Sequence, residues 1–155
     1  MAKTGKRMIA LTALVMSLML VLAACGDDDD SSAGTTTATT DVAAATTVDV
    51  ELGTAANEFA LVPDPTEAAA GTITFAVTNG GKVEHELVVI KTDKGAANLG
   101  EANGEADETG AVDEIVLAAG ESGELTVDLE AGSYALVCNL PGHYAAGMFE
   151  DFTVN

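Results

Sequence analysis

From Val48 onward the apolar positions recur at every second residue in short runs, with Gly, Pro, Asn or Asp between one run and the next. That period places successive side chains on opposite faces of an extended chain, so each run reads as a strand with one buried face. Eight runs stand out: Val48 to Leu52, Glu58 to Val62, Thr72 to Thr78, Val83 to Lys91, Glu114 to Ala118, Gly123 to Leu129, Ser133 to Cys138 and Asp151 to Val154. Turn signals at Pro63-Asp64-Pro65, Asn79-Gly80-Gly81, Ala119-Gly120 and Ala131-Gly132 punctuate them. The expected fold is all-β, about eight strands in a two-sheet Greek-key sandwich. Thr92 to Asp113 breaks the pattern: it is Gly-rich and acidic, and reads as a long surface excursion with a short helical turn.

Before Val48 the pattern is different. Lys3, Lys6 and Arg7 precede an uncharged apolar run from Met8 to Ala24. At about 17 residues it falls short of the ~20 a spanning helix needs, and its basic flank and small-residue end fit an export signal over residues 1–24. Leu22-Ala23-Ala24-Cys25 resembles a bacterial lipobox, in which the cysteine becomes the lipidated first residue of the exported protein. Residues 25–47 then form an acidic, Thr-rich stretch with almost no apolar residue larger than Ala, expected to be a disordered tether. Asp27 to Asp30 lack the Gly turn and distal Glu of a calcium loop and read as solvated spacer. The expected product is a membrane-anchored lipoprotein on a periplasmic or extracellular face, with one domain over residues 48–155.

Charge narrows the partners. Beyond Ala24 there are 25 carboxylates against Lys82, Lys91 and Lys94, a net charge of −22. A phosphate backbone needs a basic footprint, so nucleic acid is excluded; a cationic protein would be attracted.

The chemistry-bearing residues of this segment are few. With Cys25 acylated, Cys138 is left unpaired, and an unpaired thiol in an exported protein invites oxidation unless something holds it. His143 and Met148 follow within the same eleven residues, Cys138-Asn-Leu-Pro-Gly-His-Tyr-Ala-Ala-Gly-Met148, and His85 stands in a separate strand-like run. A thiolate, two imidazoles and a weak thioether form the ligand set of a mononuclear blue-copper site. Strand parity puts Val83, His85, Leu87 and Val89 on one face and Tyr134, Leu136 and Cys138 on another, both core-directed. If the two strands are antiparallel neighbours, imidazole and thiolate reach the same end of the sandwich. By the same parity Glu84 and Glu86 point away from the core.

These residues resemble the cupredoxin family of small copper proteins. The spacing C-x4-H-x4-M, with Pro141-Gly142 before the His and Gly147 before the Met, is most similar to the ligand loop of the rusticyanin and auracyanin type within the plastocyanin and azurin relatives. The resemblance implies His85, Cys138 and His143 as strong equatorial ligands of one copper ion and Met148 as the weak axial ligand. It also implies a monomeric shuttle of single electrons between redox partners, docking through an apolar patch of Leu140, Pro141, Tyr144, Ala145 and Ala146. The family often has Asn after the first His, where its amide ties the ligand-bearing loops together. Here the residue is Glu86, whose charge at the metal would lower the reduction potential.

Other chemistries fit less well. His85-Glu86 begins an H-E-x-x-H motif, but position 89 is Val. A Cys138/His143 hydrolase has no use for Met148, zinc would lack a good fourth ligand, and a multicopper oxidase needs more than two His. No enzyme is expected. The rival reading is a lipoprotein that captures, stores or delivers copper; an adhesive sandwich leaves the ligand loop unexplained.

Overall fold

The computed structural model describes residues 45–155; the signal sequence expected over 1–24, Cys25 and nearly all of the expected tether lie outside the described residues. In chain order the strands are β1 (Thr46–Leu52), β2 (Leu61–Asp64), β3 (Glu67–Ala68), β4 (Gly71–Asn79), β5 (His85–Lys91), β6 (Glu101–Ala102), β7 (Glu105–Ala106), β8 (Ala111–Leu117), β9 (Ser122–Leu129), β10 (Gly132–Val137) and β11 (Phe149–Val154), with a 3-10 turn at Ala96–Asn98. The eight expected strands are present with shifted ends. The three additional ones are two-residue strands without enough length to show a period.

Two sheets face each other, one in the order β2-β1-β4-β9 and one in the order β3-β11-β10-β5-β8; β6 and β7 form a separate hairpin. The sheets are mixed, because β1 runs parallel to β4 and β3 parallel to β11. Pro63, expected in a turn, lies inside β2 opposite Val50. It is tolerated there because β2 is an edge strand, where a missing N–H removes no ladder bond on the outer side. Inward alternation delivers Val48, Val50, Leu52, Ile73, Phe75, Val77, Leu125 and Val127 from one sheet against Leu87, Val89, Tyr134, Leu136, Phe152 and Val154 from the other. Phe75 meets Phe152 edge-on across the gap, ring centroids 5.4 Å apart.

β5 departs from simple alternation, since all its residues from His85 to Ile90 are buried. Its second face is covered by the 92–113 excursion. There Val88, Ile90, Ala135 and Val137 from the sheet pack with Ala96, Leu99 and Ala106 from the excursion and with Tyr144. The excursion holds its shape through the β6–β7 hairpin, whose two-residue turn Asn103-Gly104 has φ of 60° and 88°. Positive φ at both central positions is the type I′ geometry that matches strand twist, and Asn-Gly is its preferred pair.

Candidate metal centre

Antiparallel pairing of β5 with β10, with Val88 opposite Val137, brings His85 at the start of one strand to Cys138 just past the end of the other. The chain then turns back through Pro141 and Gly142. The His143 amide donates to Leu140 O (2.9 Å), the Met148 amide to His143 O (3.2 Å), and the Cys138 amide to Met148 O (2.9 Å), so both ends of the loop are tied. Gly142 and Gly147, at φ of 85° and 92°, take backbone conformations that a side chain would oppose.

This route gathers three donors. Cys138 Sγ lies 3.2 Å from His143 Nδ1 and 3.8 Å from His85 Nδ1, and the two ring nitrogens are 3.2 Å apart. A point equidistant from all three is about 2 Å from each, close to the length of a metal–imidazole bond and a little under that of a metal–thiolate bond. The donors therefore fit one ion without rearrangement of the backbone. His85, Cys138 and Met148 are fully buried and His143 is half-buried. Met148 is buried in the main core cluster that also holds Cys138.

The surroundings suit a thiolate that forms only when a cation replaces the proton. Burial pushes the Cys138 thiol up from its ordinary range, opposed by the Glu86 and Leu140 amides. The Glu86 amide donates to Sγ at 3.3 Å. This bond links the two ligand-bearing segments through the backbone and does not depend on the Glu86 side chain. Burial, and next the neighbouring His85, holds the His143 imidazole below its ordinary pKa, which keeps it neutral and able to ligate.

Three placements differ from expectation. Glu86 does point off the main core, but the excursion covers it and leaves it 8% exposed. Desolvation, reinforced by Glu114 and Glu108, raises its carboxyl to about 7. Tyr144 turns inward instead of lining a surface patch: its hydroxyl donates to Ala96 O at 2.7 Å and accepts from the Leu99 amide at 3.3 Å. Val83 precedes β5 and is exposed, because Asn79 Nδ2 captures its carbonyl at 2.9 Å and Glu58 its amide at 3.1 Å.

Two residues at the centre were missed. Glu58 and Phe59, expected at the start of a strand, lie in the 53–60 loop between β1 and β2. Glu58 Oε1 is 3.3 Å from His85 Nε2, and the Phe59 ring stands edge-on to His143 with centroids 5.2 Å apart. The Lys82 amide first, then the Val83 amide and the His85 ring, hold the Glu58 carboxyl below its usual range.

The family model described as copper binding proteins, plastocyanin/azurin family, matches residues 48–155. The chain belongs to this family. Copper is the ion for which the cupredoxin centre is built, and the thiolate, imidazole and thioether donors fit it. Over 82 residues the chain is 39% identical to the copper-resistant cuproprotein CopI of Rubrivivax gelatinosus, a stretch covering 50% of this chain and 48% of that protein, so the match spans about half of the relative. Among solved cupredoxins, auracyanin A, a "blue" copper protein of Chloroflexus aurantiacus, superposes with a TM-score of 0.51 at 28% identity over 70% of this chain and 98% of its own. Rusticyanin of Thiobacillus ferrooxidans shares the fold, with a TM-score of 0.58 at 18% identity over 70% and 76% of the two chains.

Proposed function

We propose that this cupredoxin is a one-electron carrier, with His85, Cys138 and His143 as the strong copper ligands and Met148 as the weak axial ligand. The observation that carries the reading is the triangle of donors 3.2, 3.2 and 3.8 Å apart, closed beneath a tied loop. Bound copper supplies a couple that changes by one electron. The chain's part is to hold the donors still. His85 opens β5 and Cys138 directly follows β10, its paired neighbour, and the two turns of the loop restrict His143 and Met148, so little protein rearrangement accompanies a change of charge at the centre.

His143 is the half-exposed ligand. Phe59, Pro141, Ala145 and Ala146 are exposed around it and Leu140 is half-buried, a small apolar ground on a strongly acidic protein. Such a face suits brief docking of a cationic redox donor or acceptor to a monomer. Export and a lipid on Cys25 would hold the domain at an outer membrane face and concentrate it near its partners. Among the described residues no helix is long and apolar enough to cross a membrane.

A second reading, capture or delivery of copper without a redox partner, is favoured by the likeness to a copper-resistant cuproprotein. Adding Cu(II) to the purified protein tests both: an intense thiolate-to-copper band is expected, and its absence refutes the centre. Reversible voltammetry with fast self-exchange selects the carrier, and slow or irreversible cycling selects capture.

A further inference from the structure

Glu58 reaches the centre from 27 residues before His85 and does not belong to the ligand set. A single oxygen, Oε1, faces three N–H groups: the Lys82 amide at 2.6 Å, the Val83 amide at 3.1 Å and His85 Nε2 at 3.3 Å. The two amides fix where that oxygen sits. An ionised carboxylate only accepts hydrogen bonds, so the ring proton of His85 belongs on Nε2, and Nδ1 is left with a free lone pair facing Cys138 and His143. His85 is fully buried, so no solvent takes over as partner for Nε2.

The surrounding backbone is shaped around this pair. A Cβ on Gly53 would stand 2.9 Å from His85 Nε2, and one on Gly81 2.8 Å from the same atom. Either approach is closer than real Cβ atoms tolerate, so both segments carry glycine where they wrap the ring. The loop bearing Glu58 is held in place by its own bonds. The Asn57 amide donates to Thr54 Oγ1 at 2.9 Å, the Phe59 amide to Asn57 Oδ1 at 3.2 Å, and the Gly53 amide to Ala60 O at 2.8 Å.

We infer that Glu58 is a positioning residue: it sets the tautomer of His85 so that Nδ1 faces the metal, and it places a negative charge against that ligand which favours the more highly charged copper ion. The inference rests on the copper-centre reading. A carboxylate behind a ligating imidazole raises the basicity of the ring and locks its orientation.

The test uses the full chain with Glu58→Gln and Glu58→Ala. Gln keeps an acceptor oxygen and removes the charge. Its Cu(II) affinity is expected to fall about tenfold more than its Cu(I) affinity, which converts to a rise of about 59 mV in reduction potential. Ala removes the acceptor as well. In the copper-free protein the nitrogen-15 spectrum of the His85 ring should then lose its pure Nε2–H form, and copper affinity should fall about 10- to 100-fold. An unchanged potential in Glu58→Gln, or a His85 ring still wholly Nε2-protonated in Glu58→Ala, overturns the inference. Lower thermal stability in both variants with no movement of potential or tautomer would make Glu58 merely structural and overturns it too. A wild-type protein without a thiolate-to-copper band would refute the copper reading instead, and the copper-free spectra would still decide between Glu58 and no role.

Discussion

Two segments outside the ligand set close over the copper centre, and they do so differently. The 53–60 loop touches the ligands themselves, Glu58 on His85 and Phe59 on His143. The 92–113 excursion makes its bonds behind them. Asn139 Oδ1 accepts from the Ala106 amide at 2.6 Å while its Nδ2 donates to Ala106 O and Glu108 Oε1, Tyr144 bonds Ala96 and Leu99, and the Ala145 amide donates to Gly104 O at 3.3 Å. A contact on a ligand changes what the metal feels, whereas a contact on the residues beside it changes how firmly it is held. Variants of the excursion should therefore move stability, and variants of the loop should move potential.

The largest effect tests whether both segments serve one centre at all. Cys138→Ala should abolish the thiolate-to-copper band entirely, and a band that persists would mean that the gathered donors are not the ligands. Next in size, Tyr144→Ala removes a buried ring from the packing between excursion and sheet. Urea unfolding of the copper-free protein should show a loss of about 3–5 kcal/mol. Tyr144→Phe, which leaves the ring and deletes two hydrogen bonds, should lose about 1–2 kcal/mol with little change of potential. Asn139→Ala leaves the Ala106 amide and carbonyl unpaired and should cost about 1–3 kcal/mol by the same measurement. A large potential shift with unaltered stability in either Tyr144 variant would erase the contrast.

The smallest effect concerns the carboxylate that the excursion buries. Glu86 has a folded-state pKa of about 7, above its ordinary value of 4.5, so the fold disfavours its charged form. Below pH 4.5 the group is protonated folded or unfolded and costs nothing; the penalty grows through that window and is complete above pH 7. Glu86→Gln should accordingly stabilise the copper-free protein at pH 8, by about 1 kcal/mol after allowing for solvent on one side, and leave it unchanged at pH 4. Equal effects at the two pH values would show that the carboxylate is not disfavoured by the fold. In the copper-loaded protein the same substitution should raise the potential, but less than Glu58→Gln, whose carboxylate bonds a ligand directly.

What could be read in the chain follows from how local each signal is. Period-two alternation located every strand long enough to repeat, and the eleven-residue loop announced Cys138 and His143, two of the three gathered donors, because they are neighbours in sequence. Parity also placed Leu87 and Leu136 on the core side correctly. It failed where a second layer covered the other face, because alternation reports that a side chain leaves one face and is silent on what meets it there. Glu86 is buried under the excursion for that reason, and Tyr144, expected at the surface from the resemblance and not from parity, is buried there too. Asn103-Gly104 did carry a hairpin signal, weakened by flanking strands of two residues each. Glu58 had none: a glutamate in a loop gains its meaning only from the fold that carries it to a histidine far along the chain.

The direction of β1 has a practical consequence. It runs parallel to β4, with Thr46 beside Ile73 and Leu52 beside Asn79, and Leu52 leads directly into Gly53 against the His85 ring. The chain thus enters the sandwich at the pole farthest from the histidines, a full strand length away. Anything joined to the sandwich through Thr46 is therefore attached at the end opposite the gathered donors, and the metal-bearing tip keeps its face clear of that junction.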